Sequence, residues 1–270
     1  MNWARIMVPL SGNPGDAAVL KSAAVIAKLF QAELAGVYTP SDIADIMPWM
    51  GEGFMGGVQV SAVESLQEAI QDGERRARAA VDGTDYDRKA VVTIASPVWL
   101  GLSTECRLSD LVVFDDHAAR GRGALAESFQ QVVVDEQRPV LVARAGLTGT
   151  GVAVIAWDGG KESSRAVRTA LPLLEKASKV VILAAPTESP RPYDPSRLVA
   201  FLSARGIASE IMKVKSGDEP APLLLAAAKS IGAELLVAGA FGHPRLQEFV
   251  FGGATRSFLH TDGPSLFLSH

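Results

Sequence analysis

The chain is written twice. ARIMVPLSGNPGDAAVLKSAAVIAKLF, from Ala4, and GVAVIAWDGGKESSRAVRTALPLLEKA, from Gly151, each set out an apolar run, a glycine-containing turn and then apolar residues at helical spacing. The two halves also close alike: LSDLVVFDD, SFQQVVVDEQ and RPVLVARA are answered by GAELLVAGA, ATRSFLHTD and GPSLFLSH. A repeat of about 130 residues is too long for one turn of a solenoid, so each copy is a domain with its own core. The domains fall at 1–145 and 150–270, joined by the glycine- and threonine-rich ARAGLTGTG, Ala143 to Gly151.

Within each copy, apolar runs alternate with amphipathic stretches. In the second copy the runs are VAVIAW, KVVILAA, ASEIMKV, ELLVAG and SLFLS, with helices around Ser163–Lys176, Pro195–Arg205 and Pro220–Ile231 and another after Gly252. Near-continuous Val/Ile/Leu runs separated by helices predict parallel strands covered on both faces. The fold class is α/β: two doubly wound parallel five-stranded sheets in tandem.

Composition bounds the function. Apolar residues make up 48% of the 270 positions and charged residues 21%, the balance of a globular protein. A formal charge of -4 and a pI near 5.6 provide no basic field for nucleic acid. The opening MNWARIMVPLSGN is interrupted by Arg5 and Pro9 and lacks a secretory apolar core, and the richest later run carries Lys229, Gly232 and Glu234, so no membrane association is expected. The single cysteine, Cys106, forms neither an internal disulfide nor a thiolate metal cluster, and a reducing, cytoplasmic setting is the expectation.

In open α/β sheets, ligands bind beyond the carboxyl ends of the strands, where the strand order reverses. ELLVAG runs into GAFGHPRLQEFVFGGATRS, with Gly239, Gly242, Gly252 and Gly253, and VAVIAW delivers Asp158. Glycines let backbone N–H groups approach phosphate oxygens, and a helix beginning near Gly252 adds unpaired N–H groups and its positive dipole end. Asp158 can accept from a ribose hydroxyl or a base edge, and the Thr255 hydroxyl can reach a phosphate.

On these residues the chain resembles a tandem universal stress protein, two UspA-like domains in one polypeptide. Nucleotide-binding members of that family carry Gly-x2-Gly-x9-Gly followed by Ser or Thr, a pattern that Gly239, Gly242 and Gly252 match, and an Asp at the end of the first strand, matched by Asp158. The resemblance spans both halves and is most specific in GHPRLQEFVFGGATRSFLHTDGPSLFLSH. It implies an adenine nucleotide alpha hydrolase-like fold with strand order 3-2-1-4-5, and ATP or AMP, with or without Mg2+, in the crevice. It also implies pairing of the two domains through their last strands as a pseudo-dimer, with a further homodimer as an option, and no strong catalytic activity. Two departures weaken the match. Gly253 stands where Ser or Thr is usual, with Thr255 two places on. The first copy has Ser11 in place of the strand-end Asp, and Asp115 and Asp116 where its first glycine should fall, so its nucleotide site is expected to be degenerate.

Other features have blander uses. Asp158 can cap the helix starting near Lys161. GRGALA, Gly121 to Ala126, mimics a dinucleotide fingerprint but follows its strand too late, and no P-loop motif occurs. His117, His243, His260 and His270 show no metal spacing, and Cys106 has no identified base, so neither catalytic residues nor metal ligands are assigned. His243 and Arg245 are read as solvated loop residues. The first copy's extra loop, TPSDIADIMPWMGEGFMGG, offers methionines and aromatics to a protein partner or folds onto its own domain. The function expected is therefore a cytoplasmic stress-response module that binds an adenine nucleotide in its C-terminal domain. The alternatives are a protein–protein adaptor with vestigial sites, and a slow ATP hydrolase for which no general base can be named.

Overall fold

The computed structural model describes residues 2–41, 56–184, 194–214, 220–240 and 253–270. They group into two compact units, Ala4–Val132 and Val133–His270, the latter together with Met1–Trp3. The Met-rich loop lies outside the described residues for most of its length.

In the N-terminal unit, β1 (Arg5–Leu10), β2 (Glu33–Tyr38), β3 (Lys89–Thr93) and β4 (Leu111–Asp115) run parallel in the order β3-β2-β1-β4. The crossovers are α1 (Asp16–Phe30), α2 (Gly56–Asp82) and α3 (Val98–Arg107), followed by the short α4 (Asp116–Ala119) and α5 (Ala126–Gln130). The α1 helix buries Val19, Leu20, Ala23, Ile26, Ala27 and Phe30, a stripe at helical spacing, and ends where Gln31 turns left-handed at φ 53° and donates its N–H back to Lys28. Gly36 lets α2 lie close on β2: a Cβ there would stand 2.4 Å from Val81 Cγ2. At the amino ends of the strands Arg5 ties the unit together, donating to Glu33 Oε1 at 3.1 Å, Glu105 Oε2 at 2.6 Å and Ser109 Oγ at 3.2 Å.

The C-terminal unit holds β5 (Val140–Ala143), β6 (Val152–Trp157), α6 (Lys161–Leu174), β7 (Lys179–Ala184), α7 (Ser196–Ser203) and β8 (Ser209–Lys213), then α8 (Pro220–Ser230), β9 (Leu235–Gly239), α9 (Gly253–His260) and β10 (Ser265–Ser269). Its strand order is β8-β7-β6-β9-β10-β5. The five strands of the second repeat are parallel and realise the order 3-2-1-4-5. β5, the last strand of the first repeat, adds antiparallel to β10, with Leu266 opposite Val142 and Leu268 opposite Val140. No βαβ crossover links β5 to β10, so nothing imposes a parallel direction on this pairing of the two repeats' last strands.

Two side chains secure this unit. Arg144, just past β5, donates to the Phe258 and Leu259 carbonyls at 3.0 and 3.2 Å and to Pro264 at 3.1 Å, capping the end of α9, where carbonyls lack helical partners. Glu234 gathers the linker, accepting from Gly151 N at 2.8 Å and from Thr148 N and Oγ1 at 3.1 and 2.7 Å. Trp3 stacks on Phe267 at 6.3 Å between ring centroids.

Candidate functional site

The strand order of the C-terminal unit fixes the site. β6 has β7 on one side and β9 on the other, so chain progression reverses between β6 and β9. Their register, Ala153 opposite Leu235 and Ile155 opposite Val237, makes the two strands end level at Trp157 and Gly239. The carboxyl tips carrying Asp158 and the start of the glycine-rich loop are therefore neighbours at the topological switch point, the place where such sheets hold ligands.

Asp158 is exposed. Its Oδ1 accepts from Gly160 N–H at 2.8 Å and from the Ser163 hydroxyl at 2.6 Å, whereas Oδ2 has no hydrogen-bond partner among the described residues. Gly160, not Asp158, is the N-cap of α6. The carboxylate thus shapes the turn into the helix through one oxygen. Ser163 is buried, and its hydroxyl also lies 3.0 Å from the Gly160 carbonyl.

Gly239 has an intramolecular neighbour. A Cβ there would stand 2.5 Å from Ser163 N and 2.7 Å from the Glu162 carbonyl carbon, so the first turn of α6 occupies the space a side chain needs. Gly253 opens α9, and Thr255, in the first turn of that helix, is buried. Gly242 and Gly252, with His243 and Arg245, lie outside the described residues. The structure therefore brings Asp158 and Gly239 together and adds Ser163, which no motif in the sequence marks.

The first repeat carries the same two residue types in reverse. Aligning LSGNPGD with WDGGKES puts Ser11 against Asp158 and Asp16 against Ser163. Asp16 is 4% exposed, and both its oxygens are engaged: Oδ1 accepts from Ser11 N at 3.2 Å and Ser11 Oγ at 3.3 Å, Oδ2 from Gly12 N at 2.7 Å. Burial pushes the Asp16 pKa up, against the lowering effect of these donors. The strand tips here are also covered. Gly12, at φ +76°, packs on α2 so tightly that a Cβ would stand 2.6 Å from Gly73 Cα, while Arg76 Nε donates to the Gly12 carbonyl at 2.6 Å and Tyr38 Oη to Ile70 at 3.0 Å. Asp115 caps α4 through Ala118 N at 2.8 Å, and Asp116 pairs with Arg120 at 2.5 Å.

The remaining candidates have structural roles. Cys106 is wholly buried in α3. Gly121 and Gly123 both take φ +74° in the turn before α5, so GRGALA does not open a helix directly after a strand as a dinucleotide fingerprint must. His270 Nδ1 lies 2.9 Å from the Ala240 carbonyl. Among the described residues there is no helix long and apolar enough to cross a membrane.

No family model matches the chain, and no curated protein matches it in sequence. Solved structures do match it. A universal stress protein from Archaeoglobus fulgidus DSM 4304 superposes with a TM-score of 0.65 at 14% identity, covering 98% of this chain and 95% of that one. A putative universal stress protein from Pseudomonas aeruginosa UCBPP-PA14 superposes at 0.52 and 13% identity, covering 98% and 93%. The cytoplasmic domain of a prokaryotic cation chloride cotransporter gives 0.52 at 13% identity, covering 98% and 95%. Over nearly its whole length, in two successive repeats, this chain has the fold of the universal stress proteins.

Proposed function

We propose that this protein is a universal-stress-protein-type binding module that holds an adenine nucleotide, ATP or AMP, in its C-terminal repeat. The observation that carries the reading is the level ending of β6 and β9 at the switch point, which puts Asp158 beside the start of the glycine-rich loop. The residues fit such a ligand in two respects. Asp158 is exposed and its Oδ2 has no partner among the described residues, which suits a ribose hydroxyl or an adenine amine, and α9 begins at Gly253, where the N–H groups of a helix's first turn suit an anion. The N-terminal repeat takes no nucleotide in this reading: α2 covers its strand tips, and its carboxylate is used up internally.

The test is equilibrium binding of ATP and AMP to the purified chain, alongside Asp158→Ala and Gly242→Val. Loss of a hydrogen bond to a charged acceptor predicts about a tenfold or greater weakening for Asp158→Ala. Equal affinity in all three proteins overturns the assignment.

One observation favours a second reading, a protein–protein adaptor. Trp99, Leu100 and Leu108, on and just after α3, are 60%, 47% and 70% exposed. Protein that purifies without nucleotide and shows no thermal shift with ATP decides for it.

A further inference from the structure

The two repeats place one aspartate and one serine at the same two positions, the strand tip and the first turn of the following helix, in opposite order. With Asp at the tip, the carboxylate is exposed. The helix serine holds one oxygen at 2.6 Å, and the other has no hydrogen-bond partner among the described residues. With Asp on the helix, the carboxylate is 4% exposed and folds back onto the tip, where Ser11 and Gly12 saturate both oxygens at 2.7–3.3 Å. The geometry follows from the reach of the chain. A tip residue projects beyond the sheet, so a carboxylate there has water on one side. A residue in the helix's first turn faces the amides of the loop behind it, and a carboxylate there becomes their acceptor. A hydroxyl in the partner position has one proton, which binds a single carboxylate oxygen.

We infer that the order of this Asp–Ser pair decides whether a repeat offers a free carboxylate oxygen at its switch point, and that Ser163 is the positioning residue that aims Asp158 Oδ2 at the ligand. The ligand part of the inference rests on the nucleotide reading above. The exposure part does not.

Two measurements test it. The first is a double-mutant cycle on AMP affinity with Ser163→Ala, Asp158→Ala and both. Losing the fixed rotamer of Asp158 predicts about a two- to tenfold weakening for Ser163→Ala in the native background. In the Asp158→Ala background it predicts none, because Ser163 acts only through Asp158. An equal loss in both backgrounds, or none in either, overturns the positioning role. The second is carbodiimide coupling of glycine ethyl ester to carboxyls, located by peptide mass spectrometry. In the native chain Asp158 couples and Asp16 is protected. In the doubly exchanged chain, Asp158→Ser with Ser163→Asp, coupling at this C-terminal tip falls at least about tenfold, to the level of the buried carboxylate of the first repeat. Undiminished coupling in a folded exchanged chain overturns the inference. If the native chain binds no AMP or ATP, the nucleotide reading falls while the labelling still decides the exposure claim. If the exchanged chain does not fold, the Ser163→Ala cycle decides.

Discussion

Gly239→Ala tests how the C-terminal unit is built. The added methyl would stand 2.5 Å from Ser163 N, 2.7 Å from the Glu162 carbonyl carbon and 2.8 Å from Glu162 Cβ. Carbon contacts settle at about 3.5–4.0 Å, so the first turn of α6 must retreat by about 1 Å. Two of the three obstacles are backbone atoms, which no rotamer change can clear. Overpacking costs about 1–3 kcal/mol, and a backbone obstacle belongs at the upper end of that range. With an m-value near 2 kcal/mol/M, about 3 kcal/mol lowers the urea midpoint by about 1.5 M. Far-UV circular dichroism against urea measures it. Gly263→Ala is the control, since its nearest neighbours are the flexible ends of Leu225 at 3.4 Å and Lys229 at 3.6 Å. If the two variants unfold at the same midpoint, close packing on α6 is not why position 239 is glycine.

Arg144→Met strips two carbonyl contacts from the end of α9 and one from Pro264 beyond it, and is expected to cost about 1–3 kcal/mol, seen as faster amide exchange along Gly253–His260; unchanged exchange there refutes the capping role. Glu234→Ala releases Thr148 and Gly151, costs about 1 kcal/mol and speeds exchange of those two amides; protection equal to native removes Glu234 from the linker's support. Asp16→Asn gives a pH signature. Because burial raises the Asp16 pKa above its ordinary 3.8, the folded chain binds this proton more tightly than the unfolded chain does. The native protein's stability relative to Asp16→Asn must therefore fall as pH rises from 3.8 through the raised value. A gap that stays constant or widens in favour of the native chain over that window contradicts it.

Much of the fold was legible because burial on both faces leaves a plain record. VAVIAW is β6 to the residue, and the helix expected around Ser163–Lys176 is Lys161–Leu174, shifted by two residues at each end. Such slippage is ordinary where capping, not periodicity, sets the end: Gly160 starts the helix without a side-chain cap to mark it. SFQQVVVDEQ was less legible. Its apolar residues suit a helix, yet after Gln130 the backbone passes into a π-helical turn over Gln131–Asp135, a change of hydrogen-bond spacing that residue types do not announce.

The site was legible in half of its logic. Asp158 stands out because a strand running into Asp-Gly-Gly leaves a carboxylate at a carboxyl tip. Ser163 does not, since a serine in the first turn of a helix looks like solvated surface until the two repeats are aligned and its exchange with Asp16 appears. Asp16 misleads in the same way: an acid in a helix's first turn reads as an exposed partner of the dipole, yet it is buried. In the sequence Gly239 suits a glycine kept bare for a phosphate, but the first turn of α6 already accounts for it, and its φ is not among the positive ones. That transfers the weight of the nucleotide reading from the first glycine to the carboxylate. A packing glycine would be needed with or without a guest, whereas the second oxygen of the Asp158 carboxylate at the switch point has no hydrogen-bond partner among the described residues. Asp158→Ala therefore tests the binding reading more directly than Gly239→Ala, with a folding cost confined to the Gly160 and Ser163 hydrogen bonds that it also removes.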